Sequence, residues 1–172
     1  EAIPGHHFQI SLQQENKDLP SFRKTLWYSS YGEGWALYCE SLGKELGLYT
    51  DPYQYFGMLS MEMHRAIRLV VDTGLHSKGW TREQAIQYSL DNEAESEESV
   101  IAEIERYMAT PGQALSYKIG QLKIRELRTK AENKLGDKFR LPEFHNQVLN
   151  SGSLPLVLLE EKIDNWIKLQ LK

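Results

Sequence analysis

A single cysteine, Cys39, stands in 172 residues, so no disulfide can close within the chain. That absence leaves the compartment open, because disulfide-free chains occur in the cytoplasm and elsewhere. Positive charge is also scarce. Twenty Lys and Arg against 24 Asp and Glu give a net charge of −4. No basic field draws nucleic acid or anionic lipid, and neither is expected as a partner. Long apolar runs are missing: Leu154 to Leu159 is typical, far short of the roughly 20 residues that span a bilayer. No membrane span is therefore expected. The sequence shows no internal repeat, no low-complexity segment and no linker long enough to divide domains. It opens without an initiator Met, a charged n-region or an apolar h-region.

Apolar residues make up 41% and charged residues 26%, an ordinary globular balance in a chain long enough to bury a core. Alternating strand patterns are lacking, and helical signals recur. A first helix is predicted from His6 to about Gln14, then a loop over Asn16 to Pro20. A helix through Glu33 to Glu45 ends near Gly47. Asp51-Pro52 reads as an N-cap followed by Pro at the first helical position. Apolar residues at Phe56, Leu59, Met63, Ala66, Ile67 and Val70 then keep helical spacing, and this helix is expected to stop at Gly74. Thr81-Arg82-Glu83-Gln84 forms a capping box for a helix to about Leu90. The acidic cluster Glu93 to Glu98 reads as a charged first turn. Thr110-Pro111 restarts the chain as a helix ending at Gly136, and Leu141-Pro142 and Ser153-Leu154-Pro155 precede further helices. The predicted fold is all-α, an irregular multi-helix bundle forming one domain over residues 1–172.

Two segments carry chemistry. A hydrolytic zinc site needs three protein ligands, an open position for water and a carboxylate to take that water's proton. The helical form of this device is His-Glu-x-x-His. Here Glu1 takes the place of the Glu, and the second His is delayed to His6 by Ala2-Ile3-Pro4-Gly5. A His preceding Glu1 would lie six positions from His6. In a regular helix that is about 9 Å of rise and the wrong face. Chelation requires Pro4-Gly5 to bulge or break the turn, which Gly permits and Pro promotes. His7 competes with His6; His6 is preferred, because a Gly directly before the second ligand His is a familiar arrangement in related motifs, and a surface or capping role is open to both. Glu33, between Gly32 and Gly34, is the third ligand in this reading, since carboxylate and imidazole together suit zinc. Glu40, seven positions on, suits a hydrogen-bonding role behind the ligands.

These segments resemble a known family. Glu1-Ala-Ile-Pro-Gly-His-His-Phe-Gln is similar to the His-Glu-x-x-Pro-Gly-His-His signature of the bacterial domain-of-unknown-function family 885. Tyr31-Gly-Glu-Gly-Trp-Ala-Leu-Tyr-Cys-Glu40 is similar to its second signature. Val71-Asp-Thr-Gly-Leu-His76, Pro111-Gly-Gln-Ala-Leu-Ser-Tyr-Lys-Ile-Gly120, and Phe144-His145 through Pro155-Leu156 also match its pattern. That family resembles the zincin metallopeptidases of the Glu-ligand type. Glu33-Gly34-Trp35-Ala36 looks like the Asn-Glu-Gly-Phe-Ala segment of the thermolysin-like aminopeptidases, whose Glu binds zinc. The resemblance implies Glu1 as base, His6 and Glu33 as zinc ligands, and a peptide substrate. It also implies that the chain is the C-terminal portion of a longer protein. The first ligand His has no counterpart, so this chain alone is expected to bind zinc weakly and to be inactive.

Zincins stabilise the oxyanion with a Tyr, His or Arg donor. Tyr117, Tyr107, His76 and His145 are candidates, each with a structural alternative as a buried, hydrogen-bonded side chain. Arg106, Arg125 and Arg128 could receive a substrate carboxylate or form ordinary ion pairs. A non-catalytic helical interaction module is the alternative function, and it predicts that Glu1, His6 and Glu33 do not converge. A di-iron bundle is disfavoured: it needs Glu-x-x-His pairs, and Glu143-Phe144-His145 has the wrong spacing. Helix faces normally covered by a longer protein would be left apolar and exposed, which makes a homodimer through that surface an expectation.

Overall fold

The helical spacing of the sequence is realised along the backbone. The computed structural model describes residues 3–172, and among them the chain is all-α, without a strand. The helices are α1 (His6–Glu15), α2 (Ser21–Lys24), α3 (Ser29–Glu45), α4 (Pro52–Ser77) and α5 (Arg82–Asn92), then α6 (Glu97–Ala109), α7 (Gln113–Leu135), α8 (Leu141–Leu149) and α9 (Leu156–Gln170). No helix among the described residues is long and apolar enough to cross a membrane.

The capping signals act as read. The Asp51 carboxylate accepts the Tyr53 amide at 2.6 Å, and Gln54 reaches back to the Asp51 amide. Thr81 and Gln84 exchange the same pair of bonds. The acidic cluster is divided: Ser96 caps α6 and only Glu97 and Glu98 lie in its first turn, where the helix dipole favours them, while Glu93 ends α5 and pairs with His64. Glycines were the misleading signals. Gly74 lies inside α4, which runs on to Ser77. A Cβ on Gly74 would stand 2.5 Å from Trp80 Cδ2, so this glycine makes room for an indole and does not end the helix. Gly32 likewise lies inside α3, beneath the Trp27 ring, and α3 starts earlier than Glu33, at Ser29. Gly112 does break the chain: its φ of +79° forms a turn, so α7 begins only at Gln113.

The chain divides into two compact units. One comprises the residues up to Cys39 together with Ile119–Lys172; the other is Glu40–Lys118. In the first, α3 and α7 meet backbone to backbone. A Cβ on Gly34 would stand 2.4 Å from Gly120 Cα, and one on Gly120 would stand 1.8 Å from the Ser30 carbonyl oxygen. Tyr31, Ile124, Leu127, Phe144, Leu159 and Ile163 are fully buried around this crossing, each contributing about 1.5–3 kcal/mol where aliphatic or Phe. Burial pushes the Tyr31 phenol well above its ordinary range, and its hydroxyl donates to the Val148 carbonyl at 2.7 Å. Buried Gln13 ties the loops together. Its amide donates to the Arg23 and Leu26 carbonyls, and its oxygen accepts the Ser153 amide. On α9, Lys162 donates to the Gln147 carbonyl, Asn150 Oδ1 and Ser151 Oγ, closing the end of α8.

The second unit packs α4, α5 and α6 around Ile67, Val71, Ala85, Val100, Ile104 and Tyr107. Asp72, 2% exposed, accepts the Gly112 amide on both carboxylate oxygens at 3.2 and 3.1 Å. The turn before α7 is thereby fastened to α4.

Two outcomes are expected. Gly120→Ala should lower stability by about 1–3 kcal/mol or more. Gly57→Ala, where a Cβ meets nothing within 4 Å, should raise it by roughly 0.5–1 kcal/mol. Urea denaturation of both variants checks the contrast. Burial lowers the Lys162 ammonium from 10.5 to about 8. The unfolded chain then binds more protons between those values, so this lysine adds stability as pH rises through that window. The stability difference between wild type and Lys162→Met should therefore grow from pH 8 to pH 10.5.

Candidate functional site

Trp35 anchors the segment that leads into α1. Its indole N–H donates to the Pro4 carbonyl at 2.8 Å, and the ring is 1% exposed. Cys39, one turn further along α3, directs its Sγ at the same carbonyl at 3.5 Å. The Pro4-Gly5 step is thus held against α3, and α1 begins immediately after it, at His6. Adjacent residues on a helix point about 100° apart, so only one of His6 and His7 can face α3. It is His6, whose Nε2 lies 3.2 Å from Glu33 Oε2. His7 is exposed.

The pair is partly shielded, with side-chain exposures of 30% for His6 and 14% for Glu33. Trp27 stands beside the imidazole, ring centroids 5.7 Å apart. His6 Nδ1 is buried without a hydrogen-bond partner. The 3.2 Å separation is longer than the 2.7–2.9 Å of a strong charge-assisted N–H···O bond. It is close to the distance of about 3.3 Å between two ligands that share a tetrahedral centre at 2.0–2.1 Å. The donor set, one imidazole and one carboxylate, suits zinc chemically. Glu1 lies outside the described residues, and among the described residues no group of three or more His, Cys, Asp or Glu is placed to hold a metal.

His145, from α8, lies in the same unit. Its ring meets Trp35 edge-on, centroids 5.4 Å apart, and its Nε2 is 2.8 Å from the hydroxyl of buried Tyr38. Arg128 donates to that hydroxyl at 3.3 Å and to Glu132 at 2.8 Å. The Arg128 donor favours the arrangement in which the Tyr38 proton points at His145 Nε2 and the imidazole proton sits on Nδ1. Trp35 thus touches both the Pro4 carbonyl and His145.

The remaining candidates belong to the second unit. Glu40 is half-buried and its carbonyl accepts the Tyr49 hydroxyl at 2.9 Å. Tyr107 is buried and donates to Glu103 at 2.8 Å; burial pushes its phenol well up. His76 Nε2 lies 3.0 Å from the Tyr107 carbonyl oxygen. Arg65 and Arg68 both stack on the Tyr117 ring. Arg106 forms an ordinary ion pair with Glu103. Sequence reasoning passed over Trp35, Tyr38, Arg65 and Arg68.

Against known proteins, residues 1–163 match a family described as bacterial protein of unknown function (DUF885). A crystal structure of a "putative lipoprotein" from Colwellia psychrerythraea superposes with a TM-score of 0.95 at 53% identity, covering 98% of this chain and 29% of that one. A "putative lipoprotein of unknown function" from Shewanella oneidensis gives a TM-score of 0.85 at 26% identity, covering 94% of this chain and 29% of that one. No curated protein matches significantly. The chain therefore spans under a third of the length of the solved relatives.

Trp35→Phe keeps the buried ring and removes the bond to Pro4. It should cost about 1 kcal/mol and raise the hydrogen-exchange rates of the amides leading into α1. Unchanged exchange there would separate Trp35 from the placement of His6.

Proposed function

The chain belongs to the family of bacterial proteins of unknown function (DUF885), and we propose that it carries part of a zinc-dependent peptidase site, with His6 and Glu33 as two of the zinc ligands. The observation that supports this most is the 3.2 Å approach of His6 Nε2 to Glu33 Oε2 across α1 and α3. Each residue brings a donor of the type and at the spacing that zinc accepts. Zinc, when bound, supplies Lewis acidity that polarises a carbonyl and makes water nucleophilic near neutral pH.

The chain's own residues divide the remaining work. Glu1, outside the described residues, is proposed as the base that takes a proton from water. Trp35 fixes the Pro4 carbonyl and so aims His6 at Glu33. Trp27 walls one side of the imidazole and reduces its access to solvent. His145, hydrogen-bonded to Tyr38 and in ring contact with Trp35, is the oxyanion donor this reading favours. Because the chain spans 29% of its solved relatives, the peptide substrate and the activity of the longer protein belong to the proposal. The reading as a non-catalytic helical module requires His6 and Glu33 to lie apart, and their approach weighs against it.

The test uses the longer polypeptide that supplies the residue preceding Glu1. It is expected to bind about one zinc per chain and to cleave peptides. His6→Ala and Glu33→Ala should each weaken zinc binding by more than the roughly 10–100-fold seen for outer-shell changes. Glu1→Gln should retain zinc and lose turnover. A folded long protein that neither binds zinc nor cleaves peptides would overturn the reading.

A further inference from the structure

In the Glu40–Lys118 unit, two guanidinium groups from successive turns of α4 converge on one tyrosine. Arg65 and Arg68 each stand 4.3 Å from the centroid of the Tyr117 ring. Arg68 also stands 5.0 Å from the Tyr107 ring. It is 1% exposed, and an arginine keeps its charge at any ordinary pH. A charge so buried is costly unless paired and hydrogen-bonded. Yet only Nη2 is used, donating to Gln113 Oε1 at 3.2 Å. Nε and Nη1 are buried without hydrogen-bond partners.

The nearby carboxylates are committed elsewhere. Asp72 receives the Gly112 amide on both oxygens. Glu103 receives the Tyr107 hydroxyl and Arg106. Neither Arg65 nor Arg68 forms an ion pair among the described residues. The two aromatic faces offset part of the charge and cannot satisfy the N–H donors. Burial disfavours the Arg68 guanidinium and the Arg65 charge opposes it further, while Tyr107, Tyr117 and Glu103 offset part of that cost. An anion would relieve both effects. Arg65, Gln113 and Tyr117 around it are only half-buried.

We propose that Arg65, Arg68, Gln113 and Tyr117 form a binding site for a carboxylate-bearing ligand. Asp72 and Glu103 close by disfavour a multiply charged anion, so the site selects a carboxylate over a phosphate dianion. A flat carboxylate also matches the planar guanidinium set against aromatic rings. The free C-terminus of a peptide and a small organic acid share this chemistry. The site stands independently of the zinc reading, because all of its residues lie in the second unit.

The test titrates the chain with N-acetyl-Ala-Ala, its C-terminal amide, acetate and inorganic phosphate, following the arginine Nε–H resonances by NMR. The free acid is expected to shift the Arg68 signal saturably, and the amide is not. Arg65→Gln should weaken binding by roughly tenfold or more. Arg68→Met should abolish it while leaving stability equal or higher, since an unpaired buried charge is removed. Tighter binding of the peptide acid than of acetate assigns the site to a peptide terminus; equal binding assigns it to a small acid. The proposal is overturned by equal responses to acid and amide, by a preference for phosphate, by the lack of a saturable shift, or by binding retained in folded Arg68→Met. If Arg68→Met does not fold, unchanged binding in Arg65→Gln overturns it instead.

Discussion

The close approach of Gly34 and Gly120 is the constraint on which the first unit depends. Two helices whose backbones touch have no side chain between them, and neither can turn about its axis without a clash. That contact sets the rotation of α3. Rotation in turn decides where Glu33, Trp35 and Tyr38 point, because each occupies a fixed angle around the same helix. The buried Tyr31 hydroxyl and its bond to Val148 hold the same face from below. The direction of these three side chains is therefore a consequence of the Gly34–Gly120 backbone contact.

From that fixed helix the site is built outward through hydrogen bonds. Trp35 takes the Pro4 carbonyl and thereby sets the first turn of α1. The start of α1 at His6 then gives His6, and not His7, the face toward Glu33. On its other side Trp35 meets His145, which Tyr38 and Arg128 orient. One indole thus connects the segment before His6 with His145. Its loss would be felt through their positions before it was felt in the core.

The second unit solves a different problem. Its α4 carries both apolar core residues and the pair Arg68 and Asp72 on one buried face. Asp72 is satisfied by the turn before α7. Arg68 is held by aromatic rings and one amide, with donors to spare. The two differ in hydrogen bonding: Asp72 receives an amide on both oxygens, whereas Nε and Nη1 of Arg68 have no acceptor.

The all-α fold and most helix starts were legible in the sequence, because capping links residues two to four apart. Asp51 with Gln54 and Thr81 with Gln84 need no distant partner to be recognised. The reading of Gly74 as a stop failed for the opposite reason: the residue that explains it is the Trp80 ring folding back over the helix. The motifs singled out Glu33 and, through the preceding Gly5, favoured His6 over His7; what holds His6 toward Glu33 is the bond between Pro4 and Trp35, 31 residues apart in sequence. Nothing local marks Arg68, whose place beside Tyr107 and Tyr117 depends on the packing of three helices. Sequence alone determined where the capped helices α4 and α5 begin, since those bonds are local. Tertiary structure decided which side chains meet, since the angle at which one helix lies on another is set by contacts that no short stretch of chain contains.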